Sequence, residues 1–375
     1  MIRSLAVCVV LLWLAAQAGA AQPVSFVKCP PGYVSGVVPL GPGNFAVALA
    51  ADPQDENFVY AAGNFSGANR IVRLDLRSGA RTSVFTCPTS VTIAGFAVLD
   101  AHAIFVSDNL HDRLYVLRDN NPQDGDFDDP GEARELITPI LTNPGGDWTG
   151  TAVAIVRSAP NRLHLPAGAV LFQSEDGGTT RGEVLAVVNP LTGPAYQPAG
   201  DAFVSGFNYG GGLAFDSAGR LLVASSFYPD SGKVWVCDDL SGNAFIGPSE
   251  ANLLVPRASA TTQTAGLSAL AVDAADLAYV AVGWGFGASA RSNVESFPVP
   301  ANPLQGTARV TTFASLNSPY VSAIVFNSTT RFFSPGTANG ATMVVLASDP
   351  MYGNLDYLLT LKPAFPLAAR HWRMY

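Results

Sequence analysis

The chain has 375 residues, of which 48% are hydrophobic and only 13% are charged, and its formal net charge is −8. An acidic, lightly charged chain argues against binding to nucleic acid or to an anionic membrane surface. Its 36 glycines and 27 prolines favour a large, turn-rich all-β fold over a helical or disordered chain.

The first 20 residues have the pattern of an export signal. Arg3 gives a positive start, residues 5–16 form an apolar run, and residues 18–20 read Ala-Gly-Ala, as at a cleavage site. The apolar run is too short for a membrane span, and no later stretch approaches the roughly 18 apolar residues that a span requires. We therefore expect a secreted or periplasmic protein without a membrane span, in which residues 21–375 form one domain.

The remaining chain repeats one pattern of short strands six times, at intervals of about 49 to 60 residues. First strands are predicted to start near residues 46, 95, 151, 211, 267 and 321. Second strands, rich in Val, Ala, Phe and Tyr, start near residues 58, 103, 169, 220, 277 and 341. Third strands start near residues 70, 113, 182, 232, 293 and 356, and weaker fourth strands start near residues 81, 133, 251 and 308.

A unit of this kind cannot bury both of its faces alone, so the copies must stack against one another. The pattern predicts an all-β, six-bladed β-propeller of four-stranded antiparallel blades. The sixth copy lacks a fourth strand of its own. Residues 33–40 (YVSGVVPL) are predicted to supply it and to close the ring, and the tail after Pro363 is the alternative.

Three cysteines remain once the signal is removed, and an exported protein meets an oxidising compartment. Cys29 and Cys87 both precede proline in loop-like sequence, which predicts a disulfide between them. Cys237 lies in an apolar strand pattern and is predicted to be a buried thiol.

The clearest copy, Gly212 to Asp238, resembles the blade pattern of the NHL-repeat and gluconolactonase-like six-bladed propellers. That pattern reads Gly-hydrophobic-Ala-hydrophobic-Asp, a turn glycine, a hydrophobic triplet and a polar loop. Residues 103–119 (AIFVSDNLHDRLYVLRD) follow its second half. The resemblance covers nearly the whole chain after the signal, but it describes a blade and not a chemistry.

The enzymes of this group resemble one another in a calcium site in the central channel, built from Glu, Asn and Asp side chains. The resemblance therefore implies a channel site at Asn44, Asp147 and Asn208. The Asn-Gly-Leu of the family enzymes reads Gly-Gly-Leu at residues 211–213, and a Glu-Gly-Pro start is missing. These departures count against calcium-dependent lactone hydrolysis.

The most acidic segment, residues 119–132, is a second candidate for calcium. Asp124, Asp126 and Asp128 alternate along a turn, and Glu132 follows four residues later. Calcium favours several oxygen ligands brought together by such a loop. The alternative is a solvated acidic loop between the outer strands of the second blade. A calcium ion held there would be structural, because this turn belongs to the face opposite the usual ligand site.

Aromatic residues are frequent in the segments that join consecutive blades and in those that join second to third strands. These segments are expected to form one loop-rich face of the propeller. Aromatic rings among polar groups suit a small organic or sugar ligand, although such rings also pack between blades. The candidate ligand-binding residues are Trp148, Tyr209, Tyr228, Trp284 and Tyr320.

No Gly-x-Ser-x-Gly elbow and no pair of metal-spaced histidines occurs in the sequence, so catalytic residues stay unassigned. The sequence favours an exported, non-catalytic propeller that binds a small molecule or a protein partner on the loop-rich face. A calcium-dependent hydrolase of the lactonase or esterase type is the alternative, and a propeller held in a larger extracellular assembly is a third hypothesis.

Overall fold

The computed structural model describes residues 24–41, 43–88, 93–108, 113–137, 148–158, 160–176, 181–196, 203–207, 210–225, 233–256, 269–284, 291–318, 321–327, 341–348 and 356–364. All regular elements in these ranges are β-strands, and they include no helix long and apolar enough to cross a membrane. The predicted export signal lies outside the described residues.

The strands form six antiparallel sheets, or blades, and the predicted strand positions are confirmed. The chain starts with β1 (Phe26–Lys28) and β2 (Tyr33–Pro39). Blade 1 contains β3 (Phe45–Ala51), β4 (Phe58–Phe65), β5 (Ala68–Asp75) and β6 (Arg81–Thr86). Blade 2 contains β7 (Ile93–Asp100), β8 (Ala103–Asp108), β9 (Arg113–Arg118) and β10 (Ala133–Ile137). Blade 3 contains β11 (Trp148–Ile155), β12 (Val170–Asp176), β13 (Arg181–Val188), β14 (Ala195–Tyr196) and β15 (Val204–Phe207), and both short strands pair with β13.

The second half of the chain repeats this arrangement. Blade 4 contains β16 (Gly210–Phe215), β17 (Leu221–Ser225), β18 (Val234–Cys237) and β19 (Ala251–Val255). Blade 5 contains β20 (Leu270–Val272), β21 (Leu277–Trp284), β22 (Arg291–Pro298) and β23 (Thr311–Leu316). Blade 6 contains β24 (Val321–Phe326), β25 (Met343–Ser348) and β26 (Asp356–Pro363). Each first strand contacts the first strand of the next blade, and β24 contacts β3, so the ring is closed.

The N-terminal segment closes the ring, as predicted. Strand β2 pairs with β26 from Tyr33 opposite Pro363 to Pro39 opposite Tyr357, and it forms the outer edge of blade 6. Strand β1, which the sequence did not predict, pairs with β23 and becomes a fifth strand of blade 5. The first described residues therefore join the last two blades.

Six hydrophobic clusters form the core, one at each interface between neighbouring blades. The second strand of each blade contributes to two of them, because alternate side chains of a strand point to opposite faces. In β8, Phe105 packs toward blade 3, whereas Ile104 and Val106 pack toward blade 1. The prediction that second strands are buried between sheets is confirmed.

The predicted disulfide between Cys29 and Cys87 is wrong, because both thiols are free. Cys29 packs at the interface of blades 5 and 6, whereas Cys87 belongs to the cluster between blades 1 and 2. Cys237 is fully buried between blades 3 and 4, as predicted. Burial raises the pKa of Cys87 and of Cys237 to about 12, so both remain protonated thiols at neutral pH.

Three loops between third and fourth strands reach back to the preceding blade, and we call them clasps. The Phe127 backbone N–H donates to the Val84 carbonyl at 2.7 Å, which joins blade 2 to blade 1. Two further bonds of this kind join Ile246 to Phe203 at 3.0 Å and Ala308 to Leu254 at 2.8 Å. Each clasp also adds an apolar side chain to the cluster at its interface.

Replacement of Gly63 by alanine should destabilise blade 1. A Cβ atom at Gly63 would lie 2.2 Å from the Phe45 carbonyl oxygen and 2.6 Å from the Ala46 Cα, so β3 would have to move. We expect a loss of about 1–3 kcal/mol in the free energy of unfolding, measured in urea. Gly193→Ala is the matched control, because no heavy atom lies within 4 Å of its Cβ position. Equal effects of the two substitutions would contradict the packing argument.

Loss of the Phe127 side chain should loosen the clasp between blades 1 and 2. Phe127 is only 3% exposed, and Phe127→Ala should reduce the free energy of unfolding by about 3 kcal/mol. Leu240, which lies in the corresponding loop of blade 4, is 59% exposed, so Leu240→Ala should change it by less than about 0.5 kcal/mol. A small effect of Phe127→Ala in the same urea titration would remove the clasp as a stabilising contact.

Candidate functional site

The six first strands surround a central channel. Its middle part has a volume of about 230 Å³ and is lined mainly by small or aliphatic residues, such as Ala50, Ala97, Ala154 and Gly212. At one end the channel widens into a mouth of about 1040 Å³. We call this end the turn face, because first strands connect to second strands there. The opposite end, where first strands begin and second strands end, is the loop-rich face.

Aspartates at the turn face cap the turns that follow three first strands. Asp52, Asp216 and Asp273 come directly after β3, β16 and β20, and all three side chains are buried. In each, Oδ1 accepts two backbone N–H groups of the following turn, from Gln54 and Asp55, from Ala218 and Arg220, and from Ala275 and Leu277. The aspartate of the repeated sequence pattern therefore stabilises a turn.

The second oxygen of each capping aspartate is also occupied. Arg73 Nε donates to Asp52 at 2.7 Å, and Arg220 Nε donates to Asp216. Tyr279 donates its hydroxyl to Asp273 at 3.5 Å, and burial of the phenol, followed by the charge of Asp273, raises the pKa of Tyr279. These buried carboxylates are thus held by protein donors on both oxygens.

Of the three residues expected to bind calcium in the channel, only Asn44 lies among the described residues. Its Nδ2 donates to the Leu40 carbonyl at 2.7 Å, and its Oδ1 accepts the Ser66 N–H at 2.8 Å. The amide therefore ties the start of β3 to the turn between β4 and β5. Asp147 and Asn208 lie outside the described residues.

The acidic segment lies between β9 and β10, on the turn face, and its carboxylates hold the backbone of the loop. Asp124 accepts the N–H of Asp126, and Asp126 accepts the N–H of Asp128. Asp128 accepts the N–H of Thr86 in blade 1 at 2.7 Å, so it supports the clasp made by Phe127. Glu132, which is only 1% exposed, accepts N–H groups from Asn120 and Asp129.

Within the described ranges, no three His, Cys, Asp or Glu side chains meet in a group that could hold a metal ion. The described part of the acidic loop thus shows carboxylates that accept N–H groups, and calcium binding at this loop stays a prediction. In the channel, the described donors do not fit a calcium site either, because the Asn44 amide already bonds to two backbone groups.

Two of the five candidate aromatic residues lie at described strand ends. Trp148 is the first residue of β11 and pairs with Glu175, and Trp284 is the last residue of β21 and pairs with Arg291. Since first strands begin and second strands end at the loop-rich face, both tryptophans belong to that face. Tyr209, Tyr228 and Tyr320 lie outside the described residues.

Sequence reasoning missed two residues at the ends of the channel. Phe45 begins β3 at the loop-rich face and is 43% exposed. Its position at the start of a predicted first strand could have identified Phe45 as a residue of the loop-rich face. Arg157 lies two residues after β11 and lines both the channel and the mouth. No sequence motif identifies Arg157, because it is a single arginine after an apolar strand.

Comparison with known proteins gives matches among solved structures. No protein-family model matches the chain, and no curated protein does. The calcium-binding protein regucalcin from Agrobacterium tumefaciens is similar with a TM-score of 0.55 and 11% identity, over 92% of this chain and 100% of that chain. A gluconolactonase from Xanthomonas campestris has a TM-score of 0.53 and 12% identity, over 92% and 99%. The PQQ-bound aldose sugar dehydrogenase from Streptomyces coelicolor has a TM-score of 0.54 and 14% identity, over 89% and 99%. At these identities the likeness is one of fold, and the chain shares the six-bladed propeller of the gluconolactonase and regucalcin structures.

Proposed function

We propose that this protein is an exported, non-catalytic propeller that binds a small organic or sugar ligand, or a protein partner, on its loop-rich face. The observation that carries the proposal is the position of aromatic residues at that face. Phe45, Trp148 and Trp284 stand at strand ends of blades 1, 3 and 5, where the rigid sheets meet the connecting segments. Binding residues are commonly held in this way, on loops and strand ends of a rigid scaffold.

Aromatic residues suit this role because they combine a large apolar surface with low conformational freedom. The ring of blades fixes the distances between the strand ends, so a ligand would not have to order the scaffold when it binds. The buried carboxylates of Asp52, Asp216 and Asp273 support a binding role over an acid–base one, since all three serve as turn caps.

A calcium-dependent hydrolase of the lactonase or esterase type is the second candidate. The fold shared with a gluconolactonase and with a calcium-binding regucalcin favours it. It would require Asp147 and Asn208 to supply the channel ligands, together with a rearranged Asn44 amide. The glycines at residues 211 and 212 stand where the family enzymes have Asn-Gly, which counts against it.

Monosaccharide binding should depend on Trp284. We expect at least one of D-glucose, D-galactose and D-mannose to change the tryptophan fluorescence of the mature protein in a saturable way. Trp284→Phe should weaken that binding by about fivefold, because the smaller ring offers less surface for stacking. Trp235→Phe is the matched control, since Trp235 lies in β18 and packs against the core between blades 3 and 4. If all three sugars leave the fluorescence unchanged, the sugar-binding form of the proposal fails.

Hydrolysis of D-glucono-1,5-lactone separates the two candidate functions. We expect no turnover above the spontaneous rate, with calcium or with a chelator, because the described carboxylates are committed to backbone donors. Chelator-sensitive turnover would instead establish the hydrolase.

A calorimetric titration with calcium tests the acidic loop, and a saturable heat that Asp126→Asn removes would establish a structural calcium site there.

A further inference from the structure

Arg157 stands at the junction of the channel and the mouth. Its two terminal nitrogens donate to backbone carbonyls at the end of β7, from Nη2 to Val98 at 2.6 Å and from Nη1 to Leu99 at 2.9 Å. Arg157 is exposed as a residue, but its guanidinium is partly buried, which lowers its pKa; an arginine nevertheless remains charged at neutral pH. The carbonyl bonds fix the direction of the side chain. The charge of Asp100 acts on the guanidinium from a distance and opposes the lowering of its pKa, but Arg157 forms no salt bridge with a described carboxylate.

The Nε–H edge of Arg157 has no partner among the described residues, whereas three other arginines use that edge to hold a carboxylate. Arg162 donates from Nε and Nη2 to the two oxygens of Asp238, each at 2.9 Å. Arg73 and Arg220 donate from Nε to Asp52 and Asp216. A guanidinium offers five N–H donors in a fixed plane, and this edge matches the two oxygens of a carboxylate. The edge of Arg157 is therefore a ready position for an external carboxylate.

The rim of the mouth carries the opposite charge. Asp55 and Glu56 line it, and neither forms a salt bridge with a described residue. The Asn57 backbone N–H donates a hydrogen bond to Asp55. This bond lowers the pKa of the Asp55 carboxyl, so the group is ionised at neutral pH. A ligand with only a negative charge would be repelled by this rim, whereas a positive group on the same ligand would be attracted.

Part of the wall of the mouth is apolar. Phe215 and Phe326 line the mouth, and both side chains are half-buried. The Phe326 ring is fixed by an edge contact with Tyr279, with ring centroids 5.4 Å apart. A short hydrocarbon chain could therefore lie along this wall.

We propose that the mouth at the turn face is a second binding site, which takes a small amino carboxylate. The carboxylate of the ligand binds the Nε edge of Arg157 at the base of the mouth, and its ammonium group lies near Asp55 and Glu56 at the rim. The site is separate from the loop-rich face, because the two lie at opposite ends of the channel.

Calorimetric titration of the mature protein with 6-aminohexanoate tests this site. Hexanoate and hexylamine are the matched probes, because each keeps the hydrocarbon chain and one of the two charges. We expect 6-aminohexanoate to bind in a one-to-one ratio and the two probes to bind about tenfold more weakly. Arg157→Gln should weaken the binding of 6-aminohexanoate by about tenfold or more, because the bidentate charged contact is lost.

Arg162→Gln is the matched control for that substitution. Arg162 also extends from the segment after β11, but it is absent from the mouth, so the affinity should change by less than about twofold. Glu56→Gln provides a second variant at an exposed side chain, should Arg157→Gln fail to fold. It should weaken the binding of 6-aminohexanoate and leave that of hexanoate unchanged. Absence of saturable heat with 6-aminohexanoate, unchanged affinity in Arg157→Gln, or equally tight binding of hexanoate would overturn the proposal.

Discussion

Burial of each second strand on both of its faces is the constraint on which the rest of this propeller depends. Both faces of a blade's second strand are apolar. The preceding blade must cover one of them, and the following blade must cover the other. Met343 and Val345 of β25 pack toward blade 5, whereas Val344 and Leu346 pack toward blade 1. No blade can satisfy this requirement alone, so the stable unit is the complete ring. The clasps reinforce it, because they add contacts between blades at the outer edge.

The repeat and the differences between its copies serve separate purposes. What recurs, such as the aspartate after three of the first strands, holds a turn and leaves its carboxylate no free oxygen. The residues that do not recur are the ones on which the two proposed binding sites rest. Phe45 and the two tryptophans mark the loop-rich face, and Arg157 occupies a place in blade 3 that has no arginine counterpart after β3, β16 or β20. The two faces of the propeller therefore differ in sequence, with aromatic residues at strand ends of one face and a single arginine after a first strand at the other.

The sequence was sufficient for the strands because alternation and apolar runs are local properties. Strands β4, β8, β12, β17 and β21 could be located in this way, and so could β2 as the missing outer strand of blade 6. Strand β1 could not, since it has three residues and owes its structure to the edge of β23. The pairing of Cys29 with Cys87 failed for a related reason: a neighbouring proline indicates a loop, but not which interface that loop reaches.

The candidate site was predictable only in part. The position of Trp148 and Trp284 at one face follows from strand order, which the repeat supplies. The role of the acidic segment does not, because alternating aspartates fit a calcium loop and a chain of backbone acceptors equally well. The contacts of Asp128 with Thr86 and of Phe127 with Val84 show that the segment holds blade 2 to blade 1, and they join residues about 42 positions apart. The unpaired Nε of Arg157 could not be predicted either. It depends on which carbonyls accept the other two nitrogens, and these carbonyls belong to another blade.

Closure by β2 also sets an order on folding. Tyr33 pairs with Pro363, so the first outer strand needs a partner that is synthesised 330 residues later (363 − 33). Until residues 356–363 are made, blade 6 is incomplete. The faces of blade 5 and blade 1 that pack against it then lack a complete partner sheet. The entropic cost of bringing such distant segments together must be met before these contacts form. The ring therefore closes only when β2 and β26 pair. Until then we expect the ring to stay open, with an apolar face of blade 1 exposed to solvent.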